Sequence, residues 1–290
     1  MTSQQPAKAR VDWAGRSREL QPDGRAIIDG QRRAAHSGRS FDALSPIDGR
    51  TLGAVARCEA PDIDAAVAAA RRAFDQGAWR HMEPQERKRV LLRLAELMRN
   101  DLDHLALLET LDVGKPIRDS LSSDIPSAAA CIAYYGEFAD KLYDEIAPTG
   151  PLDLALVRRE PLGVVGAIVP WNYPLIIAAW KVGPALLTGN SVVLKPAEQS
   201  PFTALRLGEL ALQAGIPPGV LNVVPGFGEE AGQALALHPD VDMVTFTGST
   251  AVGKLMMRYA GESNLKRVAL ELGGKSPQVV LRDADLTAAA

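Results

Sequence analysis

Over the second half of the chain, short apolar runs alternate with longer stretches of helical spacing. VVGAIVP (164–170), SVVLKP (191–196), VLNVVPG (220–226), MVTFTG (243–248) and RVALELGG (267–274) are apolar and bounded by glycine or proline. That is the pattern of strands buried on both faces. Helices are predicted between them, over 174–187, 201–214, 229–237 and 250–259. Strands and helices alternating in this way predict an α/β fold with a parallel, doubly wound, Rossmann-like sheet. Such sheets bind ligands at the carboxyl ends of their strands.

The first half reads as helical. DIDAAVAAARRAFD (62–75) opens on an aspartate placed as a cap, with apolar residues at helical intervals. A second helix is predicted from Pro84 through Met98, a third over 105–111 ending near Gly114, and a fourth over 122–142. Residues 1–25 are polar and rich in arginine, which predicts a loosely attached N-terminal arm without a secretory signal. Between 151 and 161, Leu152, Leu154 and Leu156 alternate with other residues, as in an extended hairpin or edge strand that seeks a partner. The longest apolar run is interrupted by Lys181, Gly183 and Pro184, so no membrane span is expected.

Composition narrows the function. Hydrophobic residues make up 47% of the 290 and charged residues 23%, ample for a buried core. A net charge of −3 argues against a nucleic-acid binder. The two cysteines, Cys58 and Cys131, lie far apart and outside any C-x-x-C pattern. That spacing fits a reducing compartment such as the cytoplasm and not a disulfide framework. The four histidines have no ligand spacing, and no metal site is expected.

Four segments carry candidate chemistry. FTGSTAVGK (246–254) is a strand, a small-residue turn and a helix start, suited to an anion. It fits a dinucleotide pyrophosphate or, through Gly248, Gly253 and Lys254, a triphosphate loop. The second reading fails at Leu255, where a magnesium-binding hydroxyl is required. In LKPAEQSP (194–201), Glu198 can accept both hydroxyls of a ribose and would repel a 2′-phosphate. Taken alone, Lys195 and Glu198 are a solvated surface pair. VPWNYP (169–174) places Asn172 after a strand, where a neutral amide can donate to a developing oxyanion, with Trp171 and Tyr173 lining an apolar pocket. Its plain reading is an aromatic turn closing the core. ELGGKSP (271–277) offers Glu271 as a general base or, more plainly, as a strand-end glutamate beside a glycine turn. Ser263 and Lys266 form an S-x-x-K match without the runs that accompany it in serine acyl enzymes, and read as chance.

The ordered set VPWNYP, LKPAEQSP, FTGSTAVG and LELGGKSP resembles the aldehyde dehydrogenase superfamily, from about Ala26 onward. The stretches 108–129 and 221–235 are similar to dehydrogenases of gamma-glutamyl-gamma-aminobutyraldehyde and other omega-amino aldehydes. The resemblance implies an NAD-binding domain over 26–144 and 163–271, an oligomerisation hairpin over 145–162, and the start of a catalytic domain over 272–290. It gives Asn172 the oxyanion, Glu271 the activation of the hydrolytic water and Lys181 a part in proton relay. Lys195 and Glu198 take the adenosine ribose, and Gly248 and Ser249 the pyrophosphate turn. Trp171 lies against the cofactor, Gly228 near the adenine, and Leu272 and Gly273 beside the nicotinamide. Ile168, Pro170, Phe246 and Val252 complete the implied cofactor contacts.

The implied reaction oxidises an aldehyde to a carboxylic acid through a cysteine thiohemiacetal and thioester, with NAD preferred to NADP. The family's nucleophilic cysteine comes a few dozen residues after Glu271; none follows it before Ala290, and neither Cys58 nor Cys131 fits its motif. The 290 residues are therefore expected to be the cofactor-binding half plus a truncated catalytic domain, inactive alone and prone to self-association. The alternative is a nucleotide-binding fragment or noncatalytic partner subunit. A homo-oligomer, dimer or tetramer, is expected. Asp124 is placed near a tunnel mouth, where it would favour a cationic substrate, or plainly on a helix surface.

Overall fold

The computed structural model describes residues 11–289. Eleven strands are named in chain order: β1 Ala26–Ile28, β2 Gln31–Arg33, β3 Ser40–Leu44, β4 Thr51–Ala56, β5 Glu145–Ala147, β6 Ala155–Val157, β7 Val164–Ile168, β8 Ser191–Lys195, β9 Leu221–Val223, β10 Met243–Thr247 and β11 Arg267–Glu271. The main sheet runs β11-β10-β7-β8-β9-β1-β2. Its five strands from β11 to β9 are parallel, as the alternation predicts. An antiparallel hairpin, β1–β2, closes one edge.

Alternate residues of the central strands enter two separate cores. Val165, Ala167, Val192 and Leu194 pack beneath the helices Pro84–Asn100, Leu102–Val113, Ile125–Phe138, Pro174–Leu187 and Phe202–Ala214. Val164, Ile168, Val193 and Val244 pack on the other face, against Ala60–Asp75, Gln233–Leu237 and Thr250–Glu262. The period-2 direction of strand side chains thus makes the sheet doubly wound. The Trp79 indole donates to the Leu186 carbonyl at 3.1 Å, pinning the N-terminal helices to this body.

Three expectations for the first half need correction. It is not wholly helical, because β1 to β4 precede its long helices. The residues Asp29 and Gly30, with φ of 54° and 74°, form the two-residue turn between β1 and β2, a D-G hairpin signal present in the sequence. Residues 11–25 are not a loose arm; the arm's first ten residues lie outside the described ones. A helix spans Trp13–Glu19, Arg16 pairs with Asp103 at 2.8 Å, and Gly24 bridges Val55. Asp62 is not the helix cap. It lies in the first turn and accepts the Glu59 amide at 2.9 Å, its half of a capping box that opens at Ala60.

The predicted hairpin is present but short. β5 and β6 pair antiparallel in a two-stranded sheet of their own, and Leu152 and Leu154 lie in the connection between them. The fourth helix contains one wide turn, Ser120–Asp124, and stops at Phe138. Among the described residues no helix is long and apolar enough to cross a membrane.

Candidate active site

β7, β8, β10 and β11 run parallel in register, so Ile168, Lys195, Thr247 and Glu271 come to one end of the sheet. A cleft of about 830 Å³ opens there. Its walls include five segments that follow strands: Pro170–Asn172 after β7, Ala197–Gln199 after β8, Gly228–Gly232 after β9, Gly248–Ser249 after β10 and Leu272–Gly273 after β11. Of the site residues named from the sequence, all line it except Lys181 and Tyr173, whose ring lies instead against Lys115.

Local bonds set each loop. The Val169 amide donates to the Lys195 carbonyl at 3.2 Å, and the Ser200 hydroxyl to the Trp171 carbonyl at 3.2 Å. Pro174 starts the next helix, and the Ile177 amide donates to the Tyr173 carbonyl at 3.0 Å. This carries Trp171 and Asn172 out over the cleft, with Trp171 55% exposed. Lys195 is buried yet ends beside Glu198, Nζ to Oε2 3.1 Å, so the pair is not the solvated one of the plain reading. Burial pushes the Lys195 ammonium down, against the pull of the Glu198 charge.

The Gly248 amide donates to the Glu271 carbonyl at 3.0 Å. Ser249 caps the helix Thr250–Glu262, its hydroxyl accepting the Val252 amide at 3.2 Å. A Cβ on Gly248 would lie 2.5 Å from the Phe246 ring, so the turn can fold back on that ring only without one. The Ser249-capped start of a 13-residue helix therefore borders the cleft and makes that end electropositive.

Lys181 lies one layer below. It is buried, and its Nζ donates to Thr245 Oγ1 at 2.9 Å. Burial lowers it to about 8, although the Glu271 charge acts in the opposite sense. Ile177, Trp180, Met256 and Tyr259 also line the cleft and escaped the sequence reading. The helical intervals 177/180 on Pro174–Leu187 and 252/256/259 on Thr250–Glu262 hold the signal, because each set shares one helix face. Burial raises the thiols of Cys58 and Cys131, the latter to about 11, and neither lines the cleft. Ser263 and Lys266 do touch, at 2.8 Å, but Ser263 donates to the Tyr259 carbonyl and Lys266 to that of Ala236, which fastens a helix end.

Behind the Asn172 turn lies a buried polar cluster. Lys115 Nζ is 2.6 Å from Asp124 Oδ2 and 3.8 Å from Glu109 Oε1. Asp124 is thus neither at a tunnel mouth nor on a surface; it is 2% exposed and neutralised by Lys115. Asp112 accepts the Phe202 amide at 3.0 Å, and burial holds its carboxyl well above the ordinary range. Glu109 is fully buried, and the Thr203 hydroxyl and Leu175 amide approach it without closing hydrogen bonds of ordinary geometry. Burial raises Glu109 to about 7, with Lys115 opposing and Asp124 adding to the rise.

The pH consequence has a definite sign. The fold holds the Glu109 proton up to about 7, whereas the unfolded chain releases it near 4.5. Its contribution to stability is therefore complete below pH 4.5 and lost by about pH 7. Glu109→Gln is expected to gain on the native chain across this window, by on the order of 2–3 kcal/mol. Denaturant unfolding at pH 5 and at pH 7.5 measures it, and a pH-independent difference between the two proteins overturns the assignment.

The aldehyde dehydrogenase family model matches residues 33–290. The chain belongs to the aldehyde dehydrogenase family. An aminoacetaldehyde dehydrogenase of Pseudomonas aeruginosa is 54% identical over 277 residues, which are 96% of this chain and 56% of that protein. Among solved members of the family, the gamma-glutamyl-gamma-aminobutyraldehyde dehydrogenase of Burkholderia cenocepacia is 60% identical with a TM-score of 0.94. An indole-3-acetaldehyde dehydrogenase in complex with NAD+ is 59% identical with the same TM-score. Each match covers 96% of this chain and 56% of the solved one. The chain thus spans about half the length of the aldehyde dehydrogenases it matches.

Proposed function

We propose that this chain is the cofactor-binding part of an NAD-dependent dehydrogenase that oxidises an aldehyde to a carboxylic acid. One observation carries the reading: Asn172 and Glu271 border the same cleft as the Lys195–Glu198 pair and the Gly248–Ser249 turn. A dinucleotide fits these residues, because a ribose acceptor and the start of a helix border the same cleft. NAD, when bound, accepts the hydride that leaves the aldehyde carbon. Glu198 accepts from the ribose hydroxyls beside Lys195, and the Gly248 and Ser249 backbone holds the pyrophosphate. The Asn172 carboxamide donates to the aldehyde oxygen as charge grows there. The Glu271 carboxylate takes a proton from the hydrolytic water, and Lys181, at about 8, holds or returns a proton beside it.

Neither Cys58 nor Cys131 suits the nucleophile's role, because burial raises both thiols and neither lines the cleft. The division into an NAD-binding domain, a hairpin and the beginning of a catalytic domain belongs to the same reading. Omega-amino aldehydes are the proposed substrates, supported by the names of two of the three related dehydrogenases, the third being named for indole-3-acetaldehyde. Asp124 adds nothing to that choice, since Lys115 already neutralises it. Self-association is proposed through the β5–β6 hairpin, whose Ile146, Leu154 and Leu156 are each about 70% exposed. A cytoplasmic location is supported by two unpaired cysteines.

Titrating the chain with NAD, NADP and ATP, read by quenching of Trp171 against a Trp171→Phe control, tests the reading. NAD is expected to bind about tenfold tighter than NADP, the effect of roughly 1.4 kcal/mol of repulsion between Glu198 and a 2′-phosphate. Glu198→Gln is expected to erase the preference. Tighter binding of NADP or ATP by the unaltered chain sinks the assignment.

A further inference from the structure

Two handles hold the turn that carries Asn172. One is the Ser200 hydroxyl on the Trp171 carbonyl. The other is on the far side, where Lys115 Nζ lies 4.1 Å from the centroid of the Tyr173 ring. Among the described residues none hydrogen-bonds the Asn172 side chain, so its direction follows from how its two neighbours are fixed.

Lys115 is built into a rigid corner. The helix Leu102–Val113 ends at Gly114 in the left-handed region, φ 83°, with its amide on the Thr110 carbonyl at 2.8 Å. A Cβ on Gly114 would lie 2.9 Å from Pro46, and Pro116 fixes the other side of Lys115. The Thr110 and Ser120 hydroxyls meet at 3.0 Å, where the wide turn Ser120–Asp124 begins. The Ile125 amide closes that turn on the Ser120 carbonyl, and Asp124 points inward at Lys115. The Lys115 side chain is only 14% exposed, whereas Tyr173 is 48% exposed. The ammonium is therefore the fixed partner and the ring the one that is held.

We propose that Lys115 is a positioning residue for Asn172: its ammonium, fixed by Asp124 and Glu109, seats the Tyr173 ring and so aims the neighbouring carboxamide into the cleft. The inference rests on reading Asn172 as the carbonyl donor, but its test reads the turn itself. Either can fail without the other.

The test is 15N relaxation of the 290-residue chain at Trp171, Asn172 and Tyr173. Lys115→Met is expected to lower their backbone order parameters from about 0.85 to below about 0.6, while Lys115→Arg, which keeps a cation over the ring, restores them. Lys115→Met also leaves the buried Asp124 carboxylate without its partner and is prone to unfold. Tyr173→Leu is the second arm, because it removes the ring and spares the ion pairs. It is expected to loosen the turn as Lys115→Met does, whereas Tyr173→Phe keeps it ordered. A turn as rigid in Tyr173→Leu as in the unaltered chain overturns the proposal. So does failure of Lys115→Arg to restore order where Lys115→Met has lost it.

Discussion

Replacing Asn172 with alanine, in a chain carried to the length of its relatives, is expected to lower kcat about 10²–10³-fold. NAD affinity should not change. The argument is geometric. Asn172 sits at the exposed tip of the turn between Ile168 and Pro174, and its backbone is held through its neighbours. Its amide is free to donate, and a neutral donor gains most when the oxygen opposite becomes charged. Removing it leaves the ribose pair and the helix start untouched, since these lie on the loops after β8 and β10. Steady-state kinetics and a parallel cofactor titration check the separation. An undiminished kcat removes Asn172 from the chemistry.

Glu271→Gln is expected to split the reaction instead of slowing all of it. The first turnover, seen as a burst of NADH, persists. Steady-state turnover falls about 10²–10⁴-fold, the ordinary loss for a general base. Glutamine keeps the size of the side chain and the 3.0 Å bond from the Gly248 amide, which uses the main-chain carbonyl. Only the proton acceptor is lost. Rapid-mixing absorbance at 340 nm, where reduced nicotinamide absorbs, separates the phases. If burst and steady state fall together, Glu271 acts before hydrolysis and the water-activating role is wrong.

The parallel sheet and its ligand end were legible because each buried strand is a continuous apolar run with a polar motif at its exit. Periodicity alone therefore put Lys195, Gly248 and Glu271 at one edge. The β1–β2 hairpin was missed because β2 is Gln31–Arg33, polar throughout, and three residues are too few to show a period. There the signal was in the turn, Asp29–Gly30. The cluster behind the Asn172 turn was illegible for another reason. Glu109, Asp112, Lys115 and Asp124 look like solvated helix charges, and only tertiary packing puts them inside. Even where the predicted helix over 122–142 overlapped the wide turn at 120–124, one extra residue per turn directs Asp124 to Lys115 and not to the surface.

The hydrogen bond from the Gly248 amide to the Glu271 carbonyl joins two parts of the site that sequence motifs treat separately. A ligand that pushes on the β10 turn also pulls on the backbone of the residue assigned to water. Arrival or departure of the dinucleotide would then nudge the carboxylate without touching it. One main-chain bond can thus serve as a mechanical linkage between filling the site and readying the base.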